Sequence, residues 1–163
     1  MEASKKIKVG WVTFTCSEDS TIVFTELLND HFFDWKNLVD FTYAKALRSD
    51  NQLTSLDICF VEGAISSEKQ AEKLKKLRQV SKRLVAIGSC AVTGMPSGMR
   101  NFFDPKTTAE IQSILDKFSY RPKVAKLSDI VKIDAQVDGC PMDQEKFLQL
   151  FQNLLSEFGV EHA

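Results

Sequence analysis

Short, nearly unbroken apolar runs alternate along the first ninety residues with stretches whose apolar positions recur at helical spacing. Ile7 to Phe14, rich in valine, threonine and aromatic residues, reads as a first strand. Ile22, Val23, Leu27, Leu28 and Phe32 then fall at roughly helical spacing. Leu38 to Tyr43 is a second strand. Leu56 to Val61, almost wholly apolar after Asp57, is a third and ends at Glu62-Gly63. Ser66 or Ser67 is placed to N-cap a helix carrying Ala71, Leu74, Leu77 and Val80, with Glu68 near its dipole-favoured start. A fourth strand, Arg83 to Ile87, ends in Gly88-Ser89-Cys90. Such strands alternating with helices predict an α/β fold, a parallel sheet covered on both faces.

Beyond Cys90 the pattern loosens. "TGMPSGMRNFFDP" (residues 93–105) has no usable period and reads as a structured loop. A helix over about Thr107 to Phe118 is followed by Tyr120-Arg121-Pro122 as a breaker. Ile130 to Val137 alternates as a half-buried strand and runs into Asp138-Gly139-Cys140-Pro141. The last helix carries a broad apolar stripe of Phe147, Leu148, Leu150, Phe151, Leu154, Leu155 and Phe158, with Gly159 as its stop. Without repeats, low-complexity tracts or linkers, residues 1–163 are expected to form one domain, with 1–6 and 159–163 fraying.

Composition changes this picture little. Hydrophobic residues make up 44% and charged residues 26% of 163 residues, with a net charge of −1. That balance gives no sign of a nucleic-acid or acidic-membrane partner. No run approaches the roughly 20 apolar residues of a membrane span. The start, "MEASKKIKVGW", lacks a signal-peptide core and a twin-arginine pair, so the cytoplasm is the expected compartment. There, four cysteines point to thiols or metal ligands before disulfides.

Three of the four share a position type. Cys16 follows the first strand, Cys90 the fourth and Cys140 the last. Ligand sites of open parallel sheets form outside the carboxyl ends of the strands, so these three thiols can converge although far apart in sequence. Unrelated thiols are the other reading, and the residues alone leave the two about level. Cys59 lies inside the third strand, about 10 Å below its end at 3.3 Å per residue, and is expected to be a packed core thiol. Asp19, three residues after Cys16, occupies the second position of a C-x-x-C motif. It is either the acidic first-turn residue of a helix or a metal ligand, with Ser17 and Glu18 as nearer rivals than Cys59.

Taken in order, C-x-x-D after strand one, "VEG" after strand three, "GSCA" with "MRN" ten residues on, and "GCP" before the final helix resemble one family over residues 7 to 157. It is the small, electron-transferring subunit of cytoplasmic nickel–iron hydrogenases, which resembles the 20-kDa cluster subunit of respiratory complex I. The resemblance implies a flavodoxin-like open sheet with its cluster loops at the carboxyl edge. It implies one proximal [4Fe-4S] cluster held at Cys16, Asp19, Cys90 and Cys140, with Glu62 close to the cluster and the large-subunit interface or proton path. It further implies a Ni–Fe centre in a separate large subunit, an obligate heterodimer that can pair again, and a soluble electron carrier or further redox subunit. Complex I relatives have two adjacent cysteines at the first site, which "TCSED" lacks. After Cys140 there is no cysteine and His162 is the only histidine, so a one-cluster form is expected. The rival readings are the cluster subunit of a membrane-bound, complex I-like assembly, and a cluster-free scaffold or hydrogen sensor.

The remaining candidates carry less. His31 reads as surface or edge packing and His162 as tail. Lys73, Lys75, Lys76 and Arg78 read as a solvated helix face. Arg100 and Asn101, within "MRN", and the apolar loop residues Met95, Met99, Phe102 and Phe103 are expected at the large-subunit interface. No nucleophilic triad, phosphate loop or dinucleotide fingerprint is present.

Overall fold

A computed structural model describes residues 6–160; His162 lies outside them. In chain order the elements are β1 (Ile7–Thr13), α1 (Asp19–Asp30), α2 (Phe32–Trp35), β2 (Val39–Ala44), β3 (Leu56–Glu62), β4 (Ile65–Ser67) and α3 (Glu68–Val80). There follow β5 (Ser81–Ile87), α4 (Gly88–Thr93), a 3-10 turn at Met99–Phe102, α5 (Pro105–Lys117), β6 (Tyr120–Ala125), a 3-10 turn at Leu127–Asp129, β7 (Ala135–Val137) and α6 (Gln144–Glu157). Five strands pair in parallel in the order β2-β1-β3-β5-β7, the flavodoxin-like order with β4 and β6 set aside.

Period-two alternation divides the core. In β3 and β5, Ile58, Phe60, Val85 and Ile87 face one side, where they meet Trp11, Phe24, Phe147 and Phe151. Cys59, Val61, Leu84 and Ala86 face the other, against Leu74 and Leu77 of α3. Each strand is buried on both faces, which is why it reads as a continuous apolar run. Cys59 is 0% exposed, as expected of a core thiol, and burial pushes its thiol up to about 12.

Helix ends follow local chemistry. Ser67 caps α3 by accepting from the Gln70 N–H, and Asp104 caps α5 with Pro105 at its first position. The apolar stripe ending at Phe32 is broken at His31, whose ring stacks on Trp35; Phe32 opens the single turn of α2 and is half exposed. Gly159, at φ +73, ends the last helix.

Three expectations need correcting. Tyr120-Arg121-Pro122 is no breaker: it opens β6, which pairs antiparallel with β4 in a separate two-stranded ribbon. A proline is tolerated there because an edge strand does not need every N–H. The expected strand over Ile130–Val137 shrinks to Ala135–Val137. Its leading apolar residues pack against the second core, and pairing with β5 begins where the Asp134 N–H donates to the Leu84 carbonyl at 2.9 Å. The face of α3 is only partly solvated. Lys75 and Lys76 are exposed, but Arg78 ion-pairs with Asp134 and donates to the Ser81 carbonyl. Lys73 lies half buried over the rings of Phe14 and Tyr43.

Candidate iron–sulfur centre

The carboxyl ends of β1, β3, β5 and β7 deliver their loops to one place. A small concavity is lined there by Cys16 and Asp19 from the first loop, Glu62 from the end of β3, Cys90 from α4 and Cys140 after β7. The structure thus brings Cys16, Asp19, Cys90, Cys140 and Glu62 together and leaves Cys59 apart. It lies between β1 and β3, where the chain reverses its direction of travel across the sheet, the usual place for a ligand in this topology.

Tight backbone contacts set the loops. Gly63 has φ +90, and a side chain there would press within 2.8 Å of the Phe14 backbone; only glycine lets the turn after β3 lie against the Cys16 loop. Thr15 and Ala64 close that contact with two backbone hydrogen bonds of 2.9 and 3.0 Å. Gly139, at φ +117, performs the same service for the Cys140 loop. The Ser97 hydroxyl donates to the Thr15 carbonyl at 3.0 Å and lies 3.2 Å from Cys90 Sγ, tying the 93–105 loop to both cysteine loops.

Glu62 is 4% exposed, and its carboxylate accepts the Ser20 N–H at 3.0 Å and the Thr21 hydroxyl at 2.6 Å. The Thr21 hydroxyl in turn accepts the Trp11 indole N–H at 2.9 Å. Glu62 therefore serves the first turn of α1 as a cap supplied from across the sheet, since Glu18 makes no side-chain cap. The Ser20 hydroxyl accepts the Met142 N–H, joining α1 to the last loop. Ser20, Thr21 and Ser97 were missed in the sequence. For the first two the available signal was a pair of hydroxyl residues in the first turn behind the cysteine loop; for Ser97 there was none, because its partners lie far along the chain.

Asp19 opens α1, as the first-turn reading anticipates. Its Oδ2 accepts from the Ser17 hydroxyl at 2.8 Å and lies 3.8 Å from Cys140 Sγ, while Oδ1 makes no hydrogen bond among the described residues. The Cys16 thiol is pushed up to about 12, first by burial and then by the charge of Glu62 and the neighbouring Cys90, against a lowering contact with the Glu18 N–H. Cys140 is raised by burial and then by Asp19 and Cys90. The lining holds three thiols, two carboxylates and no lysine, arginine or histidine. Among the described residues no three such side chains close on one point, as a single metal ion requires; they line the small concavity from four loops instead. A donor-rich ring without a protein cation suits a positively charged group of several atoms, and thiolates at such a ring are the ordinary ligands of an iron–sulfur cluster. The residues present fit that group.

Arg100 and Asn101 turn inward. Arg100 donates to the Arg121 carbonyl at 2.9 Å, and Asn101 pairs with both backbone groups of Val124 at 2.8 Å. They fasten the loop to β6, and Met99, Phe102 and Phe103 are left 54%, 75% and 41% exposed.

Comparison with known proteins accords with this geometry. A model of the family described as "NADH ubiquinone oxidoreductase, 20 Kd subunit" matches residues 18–154. The chain belongs to that family. This bears out the likeness carried by C-x-x-D, "VEG", "GSCA" and "GCP". Similar members include one subunit of the F420-non-reducing hydrogenase of Methanothermobacter marburgensis, 24% identical over 97% of this chain and 56% of that protein. Another is the NAD-reducing hydrogenase HoxS subunit delta of Cupriavidus necator, 27% identical over 61% of this chain and 55% of that protein. The chain spans about half the length of the curated relatives it matches. Among solved structures, a chain of an NAD+-reducing [NiFe]-hydrogenase in the H2-reduced state superposes with a TM-score of 0.80 at 20% identity, over 98% of this chain and 95% of that one. That likeness establishes the flavodoxin-like fold. No helix among the described residues is long and apolar enough to cross a membrane.

Proposed function

We propose that this 20 kDa-family chain is the electron-transfer subunit of a [NiFe] hydrogenase. It holds one [4Fe-4S] cluster at Cys16, Asp19, Cys90 and Cys140 and relays electrons between a Ni–Fe centre in a large subunit and an external carrier. The observation that carries the reading is the single cation-free ring in which three thiols and two carboxylates from four loops meet. When bound, the cluster supplies a one-electron store. Cys16, Cys90 and Cys140 present thiolates to it, and the burial that raises Cys16 is relieved by the cluster's positive charge. Asp19 presents an oxygen donor, harder than thiolate, which favours the more oxidised iron and lowers the potential. The Ser17 hydroxyl fixes one oxygen of Asp19 and leaves the other free for a ligand. Glu62 holds α1, and hence Asp19, in place from beneath. Exposed Met99, Phe102 and Phe103 suit a large subunit interface, since contiguous exposed apolar side chains mark protein contacts.

Anaerobic purification with iron and sulfide analysis tests the reading. Roughly four irons per chain and a co-purifying nickel-containing subunit are expected. An iron-free, colourless protein would point to the scaffold or sensor role instead. The family description also favours a second assembly, a membrane-bound complex I-like oxidoreductase. Co-purification with membrane subunits in place of a soluble partner would identify that assembly.

A further inference from the structure

A second cleft opens at the carboxyl edge on the other side of β1, between the ends of β1 and β2. It measures about 300 Å3, and its lining includes Thr13, Glu18, Tyr43, Lys45 and Lys73. That volume is at the lower end of the roughly 300–1,000 Å3 typical of small-molecule sites. The Lys73 side chain is the unusual feature. It belongs to a helix whose neighbouring lysines reach into water, yet it folds back until its Nζ lies 5.7 Å from the Phe14 ring centroid and 5.6 Å from that of Tyr43. Aromatic faces attract the charge but accept none of its three N–H groups. Among the described residues its contacts are those rings, with no ion pair or hydrogen bond to Nζ, and partial burial lowers its hold on the proton. A half-buried ammonium that touches water and aromatic faces but no protein acceptor, at the wall of a cleft, is open to an anionic partner. Lys45, exposed at the rim, adds a second positive charge, and Glu18 subtracts one.

We propose that this cleft binds a small organic carboxylate, its carboxylate head against Lys73 Nζ with Lys45 at the mouth. The net balance of two cations against one carboxylate suits a monoanion better than a doubly charged phosphate. Tyr43 and Ala46 give the cleft its apolar wall for the body of the ligand. Nothing in the site shares a residue with the thiol ring, and its occupancy does not rest on the hydrogenase reading.

Calorimetric titration of the protein as purified tests this with benzoate as the probe and inorganic phosphate as the second arm. Benzoate is expected to bind saturably at one site and more tightly than phosphate. Lys73→Met should weaken it about tenfold or more, the usual loss of a hydrogen bond to a charged group. Lys45→Ala should weaken it by a smaller factor and Lys75→Ala should leave it unchanged. Lys73→Gln, melting like the parent protein, separates lost binding from lost folding and should bind as weakly as Lys73→Met. Absence of saturable benzoate binding, binding that survives Lys73→Met, or tighter binding of phosphate would each overturn the proposal.

Discussion

Two hollows flank the end of β1 and share almost none of their chemistry. On the β3 side stand three thiols and two carboxylates without a cation; on the β2 side stand two lysines with one carboxylate. Strand β1 serves both, sending Cys16 and Asp19 one way and Trp11 and Thr13 the other. Topology explains the difference. The β3 side lies where the chain reverses direction, so loops from four strands converge on it, whereas the ends of β1 and β2, the start of α1 and the flank of α3 border the other. One edge of a parallel sheet thus offers two electrostatically opposite sites a few residues apart, and Thr21 lies in the wall between them.

The comparison can be broken most severely on the thiol side. Cys140→Ala, tested by iron analysis after anaerobic purification, should lose most of the bound iron, while the fold, measured by circular dichroism, persists because Cys140 is exposed. Iron retained at the parent level would remove Cys140 from the ring. Next in size is Glu62→Ala. It strands the buried Ser20 N–H and Thr21 hydroxyl and should cost about 2–4 kcal/mol in denaturant unfolding, since each orphaned buried partner costs roughly 1–3 kcal/mol. Thr21→Val removes the wall's hydroxyl, which serves both Glu62 and Trp11, and should cost about 1–2 kcal/mol by the same measure. Asp19→Cys is expected to keep its iron yet raise the midpoint potential in a redox titration followed by electron paramagnetic resonance. An unchanged potential and spectrum would deny Asp19 a ligand role. Smallest of all, Lys75→Ala on the exposed face of α3 should shift stability by less than about 0.5 kcal/mol.

What the amino-acid pattern disclosed follows from how each part is held. β1, β3 and β5 are buried on both faces, so their apolar runs were plain, and α6 displayed its stripe through Phe147, Phe151, Leu154 and Leu155. β6 was hidden because half its residues face water and one is Pro122, features that read as a break when no partner strand is in view. β7 was overextended because Ile130, Val131 and Ile133 are apolar for packing against the second core and not for pairing. At the thiol ring, the positions after strand ends located the cysteines, and the C-x-x-D spacing located Asp19. The hydrogen bonds that support them were illegible, since Ser20 meets Met142 across 122 residues and Ser97 meets Thr15 across 82. Lys73 was misread for the same reason. A lysine on a helix is expected in water until the rings of Phe14 and Tyr43 are brought beneath it.

The bond between the Ser20 hydroxyl and the Met142 N–H bears on the order of events during synthesis. The first thiol leaves the ribosome long before the last, and the helix that orients Asp19 is not anchored to the Cys140 loop until residue 142 has been made. Any iron offered to the nascent chain meets at most two of the three thiols, in a half-built edge. The ring exists only after the finished sheet has closed β7 against β5, so on the proposed reading loading is a step for the folded protein, and a chain truncated before β7 should emerge without iron.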